Sequence, residues 1–261
     1  MKIFTILTAL FFSVLFNQHI FSQTVEELIQ EGDKYNTEFN HQKSLEAYQK
    51  ADKLQPANWE VLWRISRALV DIANKMPEDT DEQKDAKFNK YNKSFAFADS
   101  AVKLASDQSV TYVRRAIVNG RIALFQGVFS AIGTVDDVKT DCERAIQLNN
   151  GGNYVQALSH YVLGRTHLKV CEKSYLLRLP LGLGWGDMEV AIREFQNAIK
   201  LKPNYRMFYL ELAKAYIEED EYELSKENLL LVEKAPFVLE DDNEYLKEAK
   251  KLLTEVEKEL E

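Results

Sequence analysis

Five cations, Arg67, Arg121, Arg165, Lys169 and Lys214, are of types that could act together on an anion if the fold brings them to one face. Aromatic and aliphatic residues accompany them, Trp63 ahead of Arg67 and Tyr161 ahead of Arg165. A guanidinium presents paired donors to carboxylate or phosphate, and an ammonium acts as a point charge. The chain holds 33 Lys and Arg against 41 Asp and Glu, a net charge of −8. A cationic row inside an acidic chain would draw an acidic segment or a carboxyl terminus. The same residues could instead be solvated or paired within the chain, worth under about 1 kcal/mol each.

A second candidate is the run SYLLRLPLGLGWGD at residues 174–187, apolar and carrying Pro180 and three glycines. Inserts of this length are usually packed or functional. Leu179, Leu183 and Trp185 either fold back onto the body or serve as a lid awaiting a lipid, a peptide or another subunit. Its glycines do not form a nucleotide fingerprint, since no strand precedes them and the spacing is wrong.

Reaction chemistry finds little support. Of four histidines, His19 falls in a leader-like segment and His41 in a turn, while His160 and His167 take packing positions seven residues apart. No Gly-x-Ser-x-Gly, His-Glu-x-x-His or phosphate loop occurs. The acidic balance argues against nucleic acid, which wants a basic face. No enzyme activity, metal or cofactor is expected. The cysteines, Cys142 and Cys171, are read as free thiols, though an exported chain could oxidise them.

A fifteen-residue helical pattern dictates the elements that position these residues. It recurs at residues 44–58, 94–108, 138–152 and 191–205, placing Ala51, Ala101, Ala145 and Ala198 in register. Leu54, Leu104, Leu148 and Leu201 follow three residues later on the same helical face. Pro56, Pro203 and the run Asn149-Asn150-Gly151-Gly152 then break the helix. The small Ala marks where a neighbouring helix must come close. Leu28, Gly32 and Tyr35 before Ser44, Tyr48, Ala51 and Pro56 complete a 34-residue helix hairpin, and a fifth copy runs through Tyr209, Leu212, Ala213, Tyr216, Ser225 and Leu229.

These spacings resemble the tetratricopeptide repeat (TPR). The fold expected is an all-α, TPR-like solenoid of about five hairpins, eleven helices in all, with residues 241–261 as a C-terminal capping helix. Residues 74–90, charged and holding Pro77, read as a solvated loop that could extend a helix at its end. The resemblance to TPR arrays implies that the first helix of each hairpin lines a concave groove. It places Trp63, Arg67, Arg121, Tyr161, Arg165 and Lys214 there as partner-binding residues.

Irregular steps of 50, 44 and 53 residues between copies suit lengthened hairpins. With the pieces LWRISRA (62–68), FQGV (125–128), ERAIQLN (143–149) and KPNY (202–205), the chain resembles the regulator of microtubule dynamics family. That resemblance implies a binding module without known catalytic residues, sometimes tethered to organelle membranes.

Lys2 followed by an uncharged run at residues 3–16 and a polar stretch has the layout of a secretory signal peptide. Residues 1–22 are therefore expected to be a signal, with cleavage after Ser22, and residues 23–261 one exported domain, periplasmic or extracellular. Export would make a microtubule partner implausible. The function expected is a non-catalytic scaffold gripping a protein or peptide, with a small-ligand or lipid carrier as the alternative.

Overall fold

The computed structural model describes residues 23–261, so the expected signal at 1–22 lies outside the described residues. Twelve α-helices and one 3₁₀ turn make up the described chain, with no strand among those residues. Helices α1 (Val25–Thr37) and α2 (His41–Leu54) form the first hairpin, and α3 (Trp59–Asn74) and α4 (Asp81–Leu104) the second. The third joins α5 (Ser109–Gln126) to α6 (Ile132–Leu148). In the fourth, α7 (Gly152–Cys171) runs through the single-turn α8 (Tyr175–Arg178) before pairing with α9 (Met188–Leu201). Helices α10 (Arg206–Glu218) and α11 (Tyr222–Lys234) form the fifth, and α12 (Asp242–Glu259) closes the array. The twelfth helix beyond the eleven expected is α8, inside the Leu-rich insert.

The repeat register holds at its tightest points. Ala51, Ala101, Ala145 and Ala198 are all 0% exposed. The Leu positions behave differently: Leu54 and Leu104 are about half exposed, at 52% and 51%. Each is the last residue of its helix, where the facing helix no longer covers it. Only Leu201 reaches the core formed by Phe195, Phe208 and Tyr161.

The first hairpin shows why small residues recur. Tyr48 is fully buried, and its ring lies so close to α1 that a Cβ on Gly32 would sit 2.3 Å from it. Ser44 Oγ donates to the Gly32 carbonyl at 2.9 Å in the same crossing. Gly32→Ala is therefore expected to destabilise the protein by about 1–3 kcal/mol, overriding alanine's helix advantage of about 1 kcal/mol. Urea unfolding followed by circular dichroism checks this, and a more stable variant would contradict the packing.

Residues 74–90 are mostly helix rather than loop. A capping box between Thr80 and Gln83 starts α4 at Asp81. Phe88 and Tyr91, three apart, then both meet Phe125 of α5, with ring centroids 5.5 and 6.3 Å away. Lys87 is buried against Glu78 at 2.6 Å. Three packed side chains outweigh a charged composition.

Helix α12 caps the array as expected, burying Ala249 and Val256 on α10 and α11. The segment before it does more. Glu240 lies 2.9 Å from His41 and 3.6 Å from Lys75, and Asp241 meets Lys75 at 2.5 Å. The far end of the solenoid thus returns to its second and third helices. Asp242 accepts the Val238 and Leu239 N–H groups at 2.6 and 2.7 Å, which fixes the turn that makes this possible. Both cysteines are free, Cys142 buried and Cys171 half-buried.

Candidate functional site

The first helices of successive hairpins touch in sequence, α3 against α5 and α5 against α7, and α12 packs on α10. Along this inner face Trp63 is 9% exposed, with three guanidiniums near its ring: Arg64, Arg67 and Arg114 at 4.2, 5.1 and 5.4 Å from the centroid. Such cation–π contacts hold arginines together that would otherwise repel.

Most of the predicted cations are already answered from within. Arg67 donates to Asp33 at 2.8 Å and to the Tyr48 hydroxyl at 2.7 Å, and Arg64 shares the same carboxylate. Burial pushes Asp33 up, but the Tyr48 hydroxyl and the two guanidiniums outweigh it and hold the carboxyl below its ordinary range. Lys214 bridges Glu211 and Glu248 at 3.3 and 2.8 Å. Arg165 has its Nε 3.7 Å from the same Glu211, without a hydrogen bond. Lys169 pairs with Glu172. Arg121 alone of the predicted set makes no ion pair within 4 Å among the described residues.

Arg121 lies at a pocket of about 100 Å³. Ile117, Leu124, Val128, Val135, Val138 and Val162 supply apolar walls, and Arg121, Arg165 and Lys169 supply the charge. Tyr161 lines it too, packed between Phe195 and Phe208 at 6.1 and 5.1 Å, with burial raising its hydroxyl's pKa. Sites for drug-sized ligands span about 300–1,000 Å³, so this pocket has room for one small apolar group only.

The insert backs this pocket. Leu183 is fully buried with Ala123, Val135 and Val170, the first two of which also line the pocket. Trp185 donates from Nε1 to Asp136 at 2.8 Å and sets its ring edge-on to His167 at 5.1 Å. Leu179 stays 49% exposed, beside the still more exposed Leu176 and Leu177. The structure therefore holds Leu183 and Trp185 in the packed arrangement, while Leu179 is part of an apolar ridge in solvent.

Several residues of this face escaped the sequence reading. Asp33 and Glu211 answer cations from other helices, and no spacing rule pairs residues so far apart in the chain. Asp71, half-buried on α3, has its carboxyl raised by burial even with His41, Arg67, Arg114 and Arg121 around it. His41 is not a turn residue but starts α2, 3.8 Å from Asp71. Arg114 had a signal: it precedes Arg121 by seven residues, two helical turns along one face. Among the described residues no three His, Cys, Asp or Glu side chains gather as metal ligands, and no helix is long and apolar enough to cross a membrane.

Known proteins agree with this architecture. The profile of "Regulator of microtubule dynamics protein 1-3" matches residues 23–257. Regulator of microtubule dynamics protein 2 of Mus musculus is 25% identical over 249 residues, covering 93% of this chain and 58% of its own length. Protein 3 of Rattus norvegicus is 22% identical, with 88% of this chain and 49% of its own length covered. The chain thus spans about half of the curated relatives it matches. Among solved structures, a thermophilic TPR protein of Thermus thermophilus superposes with a TM-score of 0.61 at 14% identity, covering 86% of this chain and 98% of that one. Yeast Tom70 gives 0.56 at 14% identity, covering 90% of this chain and 40% of that one. At such identities these structures speak for the TPR-like fold alone. The family profile spans nearly all of the described residues, and the chain belongs to the regulator of microtubule dynamics family.

Proposed function

We propose that this chain is an exported, non-catalytic scaffold whose inner face takes the acidic or C-terminal segment of a protein partner. The observation that supports it most is Arg121, a half-buried guanidinium beside an apolar pocket, with no acid within 4 Å of it among the described residues. Arg165 and Lys169 line the same pocket, each beside one acid, Glu211 and Glu172, and Tyr161 adds an aromatic wall. The pairing of Arg67 and Lys214 with carboxylates of the chain narrows the reading from a whole groove to this pocket.

A charge-assisted contact is worth about 1.5–3 kcal/mol, so Arg121→Gln and Arg165→Gln should each weaken partner binding about tenfold or more. Affinity should also fall as salt rises, because these groups are partly exposed. Isothermal titration of each variant against the partner, with melting curves to verify folding, checks both expectations. Unchanged affinity in both variants would remove the reading.

The apolar walls favour a second reading, a small-ligand or lipid carrier with the insert as lid. There salt would matter little, and Leu179→Asp or Trp185→Asp would abolish binding. Export rests on the leader-like residues 2–16 and makes a microtubule partner unsuitable for this chain. N-terminal sequencing of protein from its own host should find Gln23 or a close neighbour first. An intact Met1 or Lys2 in the membrane fraction would overturn export.

A further inference from the structure

The two ends of the solenoid meet through charged side chains. Glu240, on the connection between α11 and α12, lies 2.9 Å from His41 at the start of α2. Its neighbour Asp241 meets Lys75, just past α3, at 2.5 Å, and Lys75 also reaches Glu240 at 3.6 Å. Among the described residues no apolar core draws side chains from both α1–α4 and α10–α12. The seam between the ends is an open cleft instead, lined by Phe39, Ile72, Met76 and Pro77, with Phe39 43% exposed.

Such a seam closes firmly in direction but weakly in energy. Asp242 is buried and holds the Val238 and Leu239 N–H groups, so the turn offers both carboxylates in a fixed place. The pairs themselves stand partly in solvent, where ion pairs contribute little and salt screens them. A solenoid changes its curvature by small rotations summed over its hairpins, so the seam can part without any hairpin unpacking. Behind the seam, Tyr245 of α12 has Arg121 and Arg165 among its charged neighbours, which places the start of α12 over the inner face.

We propose that Glu240 and Asp241, latched onto His41 and Lys75, close the solenoid into a ring, and that release of the latch opens the inner face. The latch is a device of the fold and stands whatever the inner face holds, so its test uses no partner.

Nitroxide labels at Glu46→Cys on α2 and Lys247→Cys on α12, both exposed and clear of the latch, read the distance between the ends by double electron–electron resonance. The full mature chain is used in a Cys171→Ser background, Cys142 being fully buried. At low salt the wild-type latch should give one short distance. Lys75→Glu, or about 0.5 M NaCl on the unaltered latch, should raise a second, longer population about tenfold. Adding Asp241→Lys to Lys75→Glu exchanges the charges and should restore the short distance, which a merely local disturbance would not do. Phenylglyoxal modification, read site by site by mass spectrometry, should speed up at Arg121 in step with the long population and stay constant at the exposed Arg144. Melting curves verify folding, and the salt series needs no latch variant. One unchanged distance in every variant and at every salt concentration overturns the latch, as does opening that the charge exchange fails to reverse. A longer distance without faster modification of Arg121 overturns its control of the inner face.

Discussion

Ala198→Glu is expected to destabilise the protein by about 3–5 kcal/mol, the cost of an uncompensated buried charge. Ala198 is 0% exposed on α9, in the same core as Phe195, Phe208 and Leu212. Total stability of a domain is about 5–15 kcal/mol, so one substitution removes a large share of it. Ala198→Leu should cost less, about 1–3 kcal/mol, because it adds volume without charge. Thermal and urea unfolding by circular dichroism measure both. Wild-type stability in both variants would mean that α9 does not cross α7 at this residue.

Acidification should loosen the insert through His167. Burial, with Lys139 adding repulsion, pushes the His167 imidazole down to about 4. Its Nδ1 accepts the Asp187 N–H at 3.2 Å, a role only the neutral ring can fill, and its ring supports Trp185. Unfolded, the ring titrates near 6.5. Between those values the unfolded chain binds a proton that the folded chain refuses, so stability rises with pH through this window and is complete above about 6.5. Falling from pH 6.5 to 4 should cost about 3 kcal/mol at about 1.4 kcal/mol per pH unit. Carboxylates with lowered pKa values, such as Asp33 and Glu194, lose their contributions at lower pH still. His167→Gln, which accepts the same N–H without titrating, should flatten the slope between pH 6.5 and 4. An unchanged slope would contradict the neutral-ring assignment. Tryptophan fluorescence is read alongside denaturant melts, with a Trp185→Phe variant to subtract the contribution of Trp59 and Trp63.

What the sequence carried in local periods was legible. The four alanines, the helix breakers Pro56 and Pro203, and the Gly32–Tyr48 crossing all follow from spacing within one hairpin, where a 3.6-residue period decides which residues meet. The extension of α4 was also written there, in Thr80-x-x-Gln83 and in Phe88 and Tyr91, but Pro77 and the density of charge pointed to a loop. Long-range answers to charge were not legible. Asp33 serves Arg67 from 34 residues away, and Glu240 reaches His41 across 199. Such pairings depend on how the solenoid curls, which is set by small rotations at every hairpin and by no single motif. The candidate groove suffered most from this. Trp63 stands beside three arginines and Tyr161 and Arg165 line the pocket, yet Glu211, Glu248 and the start of α12 come against their neighbours.

The central claim is that the inner face holds a polypeptide. Native mass spectrometry of the protein purified from its own host tests it most directly. The account predicts a complex with a second polypeptide that dissociates as ionic strength rises and is diminished in Arg121→Gln. A chain that instead carries a small apolar ligand, with no polypeptide at any salt concentration, would contradict it.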